Sequence, residues 1–420
     1  MALALALSGC ASAPLTPKPA PSPSAPDWSA HGPITFASPG DPTGQLAADI
    51  HDWNALHPDE PVTLRELPDS TDAQRDDVVA RATSGDGEYT VMAVDVAWLQ
   101  QLAATGGVAA LPASLFPTQG LLGKSVDAGT QDGALFAYPY TAGAGVLYYR
   151  KDLLGAAKLS APTTWTQMAS DCLAILGQHR SMSCYSGQYR PGEDLSVNVI
   201  EAIQGAGGTA FAADGTPTLD TDAATAGLTW LNNWFSTGAT PTAALAYDDD
   251  LSREAFERGS LVFWRGWSDQ WSLLGLDPGA VVRPAQVGVV ELPGRSGVSP
   301  SVFDGLSLAV SSHGGNLGTA RDFIVWLTGR QRQVQRFATA GAGPVLDALY
   351  TDKAVTGANP VGAILDSAVT DSMPRPVEAD YAALSKALSD GAYPALSDNK
   401  PVPAALASTQ EALAGIIAKR

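Results

Sequence analysis

Between Leu261 and Trp271 the chain reads Leu-Val-Phe-Trp-Arg-Gly-Trp-Ser-Asp-Gln-Trp, which places three tryptophans and an arginine within eight residues of a sequence that is only 7% aromatic. A strand that emerges with such groups offers a flat apolar face to a pyranose ring and forked guanidinium donors to its hydroxyls, so Arg265 and Trp267 are candidate ligand-binding residues. A tryptophan-rich core with an arginine at its surface has the same composition. Asp95 follows directly on the apolar run Tyr89–Val94. Ligands of open α/β sheets gather at the carboxyl ends of strands, so a binding acid belongs there; Asp95 is equally placed to cap the helix expected over Val96–Thr105. Arg375 stands in Met373-Pro374-Arg375-Pro376, where proline on both sides holds it extended in a loop.

Other constellations fail on spacing. Asp248-Asp249-Asp250 are consecutive, whereas a calcium loop alternates its acids and carries glycine at the sixth position, so they read as negative charge at a helix start. The five histidines are scattered without metal spacing, and neither a metal nor a cofactor is expected. Gly123-Lys124-Ser125 is not a phosphate loop because Thr118 stands where glycine is required, and Gly-x-Ser-x-Gly is absent. A secreted carbohydrate-active hydrolase needs two carboxylates flanking a cleft at a defined separation. Acids are plentiful but spacing singles out no pair, so the hydrolase stays an alternative and a non-enzyme is the leading expectation. A net charge of −18, with no basic cluster to relieve it, argues against a nucleic-acid partner.

The elements that must position these residues follow an α/β pattern. Ile34–Ala37, Val62–Leu67 and Tyr89–Val94 read as strands. Between them lie a helix with Leu46, Ile50, Trp53 and Leu56 at helical spacing and a polar helix over Ser70–Ala82. Asp41-Pro42 reads as an N-cap acid with proline at the first helical position. Leu135–Leu154 begins as a strand, breaks at Pro139, passes Gly143 and Gly145, and resumes over Val146–Arg150. A chain leaves one sheet for another in this way, although an ordinary strand-loop-strand reads alike. Further helices are expected over Thr166–Leu176, from Val197, and over Ala223–Phe235, with a second crossing marked by Val287–Gly294 and helical chain from Val345.

At the start, an Ala/Leu run ends in Leu7-Ser8-Gly9-Cys10, a match to the bacterial lipobox in which Cys10 carries the lipid. No basic n-region precedes it, so the true start codon is expected upstream. Ser12–Trp28 carries six prolines among Ser, Ala and Thr and reads as a tether reaching up to about 50 Å at roughly 3.1 Å per residue. Roughly 390 residues remain, enough for two or three domains. Cys172 and Cys184 are left as a pair in an exported chain, where a disulfide is the default expectation and two buried thiols the alternative.

Tyr138-Pro139-Tyr140-Thr141, the glycines after them and Leu147–Leu154 resemble the first inter-lobe crossing of the extracellular solute-binding proteins of carbohydrate ABC transporters. The likeness is nearest to the actinobacterial trehalose/maltose-type branch and extends from about Ile34 to the C-terminus. It implies an α/β, two-lobed periplasmic-binding-protein-like fold with a hinge between lobes and a helical C-terminal segment. Residues 1–10 would be a lipoprotein signal, 11–32 the tether, 33–140 with 297–344 the first lobe, and 141–296 with 345–420 the second. It also implies a membrane-anchored, monomeric component that captures a small sugar or oligosaccharide for ABC permease subunits. The segment Val91–Trp98 matches the one whose aspartate, here Asp95, takes sugar hydroxyls. Leu261–Trp271 resembles the family's Phe-x-Arg-Asn-Trp-Pro segment, carrying over Arg265 and Trp267, and relatives keep an arginine at Arg375. Asn198 and Glu201 match residues that face the cleft, although a solvated helix surface explains two polar residues three apart about as well, and relatives carry a cysteine pair around Cys184. Asp41, Tyr140 and Asp304 complete the expected ligand-binding set. The likeness is weakest where sugar should be touched. Gly143 stands where relatives place aspartate or asparagine, Gly266-Trp267-Ser268 replaces Asn-Trp-Pro, and Asp304-Gly305-Leu306-Ser307 replaces a Gly-Gly pair and an asparagine. These departures keep open a third possibility, a lipoprotein scaffold that binds no ligand.

Overall fold

Val91–Asp95 is buried along its whole length, as the apolar run Val91–Val94 must be in a central strand of a mixed sheet covered on both faces. The computed structural model describes residues 26–419 except positions 86, 213, 377, 379 and 399; Cys10 and the tether up to residue 25 lie outside them. Along the chain come β1 (Ile34–Ser38), α1 (Gln45–Leu56), β2 (Val62–Glu66), α2 (Thr71–Ser84) and β3 (Val91–Asp95), with β1 parallel to both β2 and β3. Two short helices, α3 (Leu99–Ala104) and α4 (Gly123–Ala128), and a small hairpin, β4 (Thr130–Gln131) with β5 (Ala134–Leu135), lead to β6 (Ala137–Pro139).

The next strand, β7 (Gly143–Arg150), lies in a different sheet, so the stretch from Pro139 to Gly143 is a crossing. There follow α5 (Lys151–Ala156), α6 (Trp165–Leu176), β8 (Ser183–Ser186), α7 (Glu193–Gly205), α8 (Asp222–Ser236), α9 (Asp249–Glu257), β9 (Leu261–Trp267) and β10 (Val287–Glu291). The second sheet has the order β10-β7-β9-β8. Cys172 in α6 and Cys184 in β8 form a disulfide, as expected.

The return is later than the boundary at 297. β11 (Phe303–Asp304) still pairs with β7, and only β12 (Leu306–Val310) rejoins the first sheet, between β3 and β6. Gly305 sits between them at φ 157°, and a Cβ there would meet the Thr141 carbonyl oxygen at 2.3 Å. The two crossings therefore touch backbone to backbone, which only glycine permits.

The remainder is helical: α10 (Leu317–Leu327), α11 (Arg330–Ala340), α12 (Lys353–Thr356), α13 (Leu365–Asp371), α14 (Tyr381–Ser397) and α15 (Val402–Ile417). One core lies against the first sheet around Phe36, Trp53 and Phe323. Another joins the second sheet to α7, α8, α14 and α15 through Leu147, Ile203, Leu228 and Leu388. Tyr381 departs from that division, since it opens α14 yet packs with Met92 and Trp98 of the first sheet's side. Among the described residues no helix is long and apolar enough to cross a membrane.

Candidate functional site

The carboxyl ends of β1, β2, β3 and β6 converge on one side of the first sheet, and the residues just beyond them line a cleft of about 380 Å³ that the second sheet closes from the other side. That volume falls within the range of small-molecule sites, about 300–1,000 Å³. From the first sheet come Asp41, Asp95, Tyr140 and Leu306; from the second come Gln188, Arg265, Trp267 and Gln270. Asp304 stands at the crossing between them.

Seven of the eight expected ligand-binding residues, Asp41, Asp95, Tyr140, Arg265, Trp267, Asp304 and Arg375, line this cleft. Glu201 does not, and its expected place at the ligand is corrected. It lies behind Arg265, accepting from Nε at 2.8 Å and Nη2 at 2.7 Å, and from the Val302 backbone N–H at 3.1 Å. Its helix face is turned inward because almost every residue of α7 is buried. Arg265, itself only 1% exposed, gives a third bond to Gln188 Oε1, and its guanidinium carbon lies 3.8 Å from the Trp267 ring centroid. The arginine thus backs the tryptophan; Trp267 is the less buried of the two and presents its ring to the cleft. Asn198 also turns inward, its amide donating to the Gln188 and Asp194 carbonyls.

Local geometry also corrects three helix starts. Asp41 is not followed at once by helix: α1 begins at Gln45, and the Asp41 carboxylate reaches forward to the Leu46 N–H at 2.7 Å and the Thr43 hydroxyl at 2.6 Å. Asp95 caps no helix, because α3 starts only at Leu99; its Oδ1 accepts from Ala97 N–H at 2.7 Å in a tight turn. That oxygen also takes Arg375 Nη2 at 2.6 Å. The third start is that of α7, at Glu193 rather than Val197. Glu193 was missed for that reason, although Pro191-Gly192 followed by two acids is a helix-start pattern. It takes Arg375 Nη1 at 2.8 Å and the Tyr381 hydroxyl at 2.6 Å. Arg375 therefore bridges Asp95 at the end of β3 and Glu193 at the start of α7, held in place by Met373, whose backbone pairs with Ser301 and Phe303.

Carboxylates crowd the cleft. Burial, reinforced by Asp95 and Asp269 and opposed by Arg375 and Arg265, pushes the Asp304 carboxyl up to about 7. Burial pushes Asp269 up to about 6 and raises Asp249 well above the usual carboxylate range, the latter also through Asp194. Asp249 was expected only to charge the start of α9, which it does beside the capping Asp248, yet it also faces the cleft. The departures at Gly143 and Asp304 are one feature, for the two are antiparallel partners. A Cβ at Gly143 would meet Ser268 Oγ at 3.0 Å and Asp304 Oδ2 at 3.3 Å, so the Asp304 carboxylate fills the volume that a side chain at 143 would take.

Two α/β lobes joined by crossing strands, with a polar and aromatic cleft between them, define a protein that holds a small molecule between its lobes. Residues 37–334 match the model of the bacterial extracellular solute-binding protein family, and the chain belongs to that family. It is 30% identical over 297 residues, 68% of this chain and 70% of the other, to a probable ABC transporter-binding protein of Deinococcus radiodurans. The maltose-bound MalE3 of T. maritima superposes with a TM-score of 0.84 at 25% identity, covering 91% of this chain and 99% of that one. The GacH receptor of Streptomyces glaucescens, known unliganded and with acarbose, reaches 0.82 at 19% identity over 92% and 98% of the two chains, a likeness of fold alone. The chain is the substrate-binding component of an ABC importer and acts outside the cytoplasm.

Proposed function

We propose that the cleft captures a small sugar or oligosaccharide and presents it to the permease subunits of the importer. The observation that carries this is Trp267, a ring at the cleft surface braced by a buried arginine whose own charge is met by Glu201. A rigid aromatic face beside carboxylates matches the alternating apolar and hydroxylated faces of a pyranose. The maltose bound by the T. maritima neighbour supports the same class of ligand. Titration calorimetry against trehalose, maltose and related saccharides should give saturable binding, and Trp267→Ala should weaken it by about 1.5–3 kcal/mol, roughly tenfold to a hundredfold. Release of cleaved product on prolonged incubation would instead mark a hydrolase, and silence across the panel would mark a scaffold.

We also propose that the first lobe is built on residues 33–140 with the return through β12 to Pro344, that the second takes the remainder, and that the chain works as a lipid-anchored monomer. Leu7–Cys10 supports the anchor, since an acylated cysteine with a Pro-rich tether can hold a folded domain at a membrane. Cys10→Ala should move the protein from the membrane fraction to the medium, and retention on the membrane counts against the anchor.

A further inference from the structure

The cleft holds three aspartates that no basic side chain among the described residues pairs with, and we propose that its ligand is a saccharide bearing a protonated amine, seated among Asp304, Asp269, Asp249 and Gln270. This rests on the carbohydrate reading above and narrows it to a cationic class.

The cleft's three arginines are already engaged. Arg265 is held by Glu201 and Arg375 by Asp95 and Glu193, while Arg336 donates to the Leu327 carbonyl and stands 3.7 Å from Asp49. Asp249, Asp269 and Asp304 have no basic partner at ion-pair distance among the described residues. A neutral sugar offers these carboxyls no countercharge; an ammonium group does, and so favours their ionised forms.

Hydrogen-bonding capacity points the same way. Gln270 is 8% exposed and lines the cleft, yet its Oε1 accepts no hydrogen bond; Asp249 Oδ1 and Asp269 Oδ1 are also shielded and without a donor. These three are acceptors on one wall of the cleft, while Arg375 Nε in the same cleft lining is a donor that also lacks a partner; a buried acceptor without a donor is unfavourable. An ammonium brings three N–H donors and no lone pair, whereas each hydroxyl brings one donor together with lone pairs that carboxylates repel. A metal ion fits the arrangement poorly. Among the described residues the only group of three acids or histidines whose ligand atoms all lie within 4.8 Å of one another is His31, Glu60 and Asp322, away from the cleft. Among the described residues the cleft aspartates do not converge closely enough to cage a metal ion. The glycine at 143 contributes by leaving room for Asp304 to project between the sheets.

The test is calorimetry of the full chain with glucose and glucosamine, their disaccharides in α and β linkage, and the N-acetyl forms as uncharged controls. Aminated members should bind on the order of tenfold to a hundredfold more tightly than their neutral counterparts, and acetylation should erase the advantage. Asp304→Asn should narrow the gap about tenfold, with Asp269→Asn as a second variant should the first fail to fold. Neutral members binding as tightly as aminated ones would overturn the inference and leave the carbohydrate reading standing. If no saccharide binds, the carbohydrate reading falls and takes this inference with it.

Discussion

Asp304 is the residue at which this cleft differs most plainly from a neutral one, and its consequence is a pH dependence. Its carboxyl is raised from the usual 3.8 to about 7 by burial and by Asp95 and Asp269, against Arg375 and Arg265. Between those two values the folded chain keeps a proton that the unfolded chain has released. Stability from this group is therefore full below the unfolded value and is lost as pH rises through the folded one. The ligand-free protein should melt at a higher temperature at about pH 5.5 than at about pH 8, each 1 kcal/mol appearing as roughly 2–4 °C in lobes of this size. Asp304→Asn should flatten that difference, and an unchanged pH profile in the variant would assign the charge strain elsewhere. From sequence, the exchange at 143 and the exchange at 304 stand as an unrelated loss and gain. Only the β7–β11 register makes them partners, and no local pattern carries that register.

At the level of elements, strands were easier to read than helix starts. Val91–Val94 and Leu261–Trp264 are continuous apolar runs, and their burial on both faces follows from composition, whereas the burial of Asp95 and Arg265 that follow them does not. The start of α7 is hard to read because its first turn is acidic and its apolar stripe begins later, which hides Glu193; the cleft-facing place of Glu201 is implied by the resemblance alone, and burial of nearly all of α7 turns it to Arg265 instead. Glu201 now makes a specific prediction. Glu201→Ala removes the partner of a buried arginine and should destabilise the fold by about 3–5 kcal/mol, read by urea unfolding. It should also weaken ligand binding without touching the cleft, because Arg265 would no longer hold its plane behind Trp267. Full affinity in a destabilised but folded Glu201→Ala protein would show that the tryptophan needs no such support.

For the whole molecule, the two-lobed plan is legible through the family resemblance, because the breakers Pro139 and Gly143 alone read equally as a strand-loop-strand; in the structure β6 ends at Pro139, β7 opens the second sheet at Gly143, and Gly305 separates β11 from β12. What joins the lobes across the cleft was not legible, since it depends on residues separated by 182 and 280 positions meeting at one guanidinium. Arg375 sits between a carboxylate of the first sheet and one at the head of α7, so the ion pairs that compensate its charge also span the cleft. Removing it would leave Asp95 and Glu193 facing each other in a buried site, where like charges repel strongly at short range. Domain closure of this kind is set by small free-energy differences, so the repulsion should favour the open arrangement. Small-angle scattering of ligand-free Arg375→Ala should therefore give a larger radius of gyration than wild type, and Arg375→Lys, which restores the charge without the bidentate fork, should fall between them. Identical scattering from all three would mean that closure is held by the packing of the two crossings against each other rather than by this ion pair.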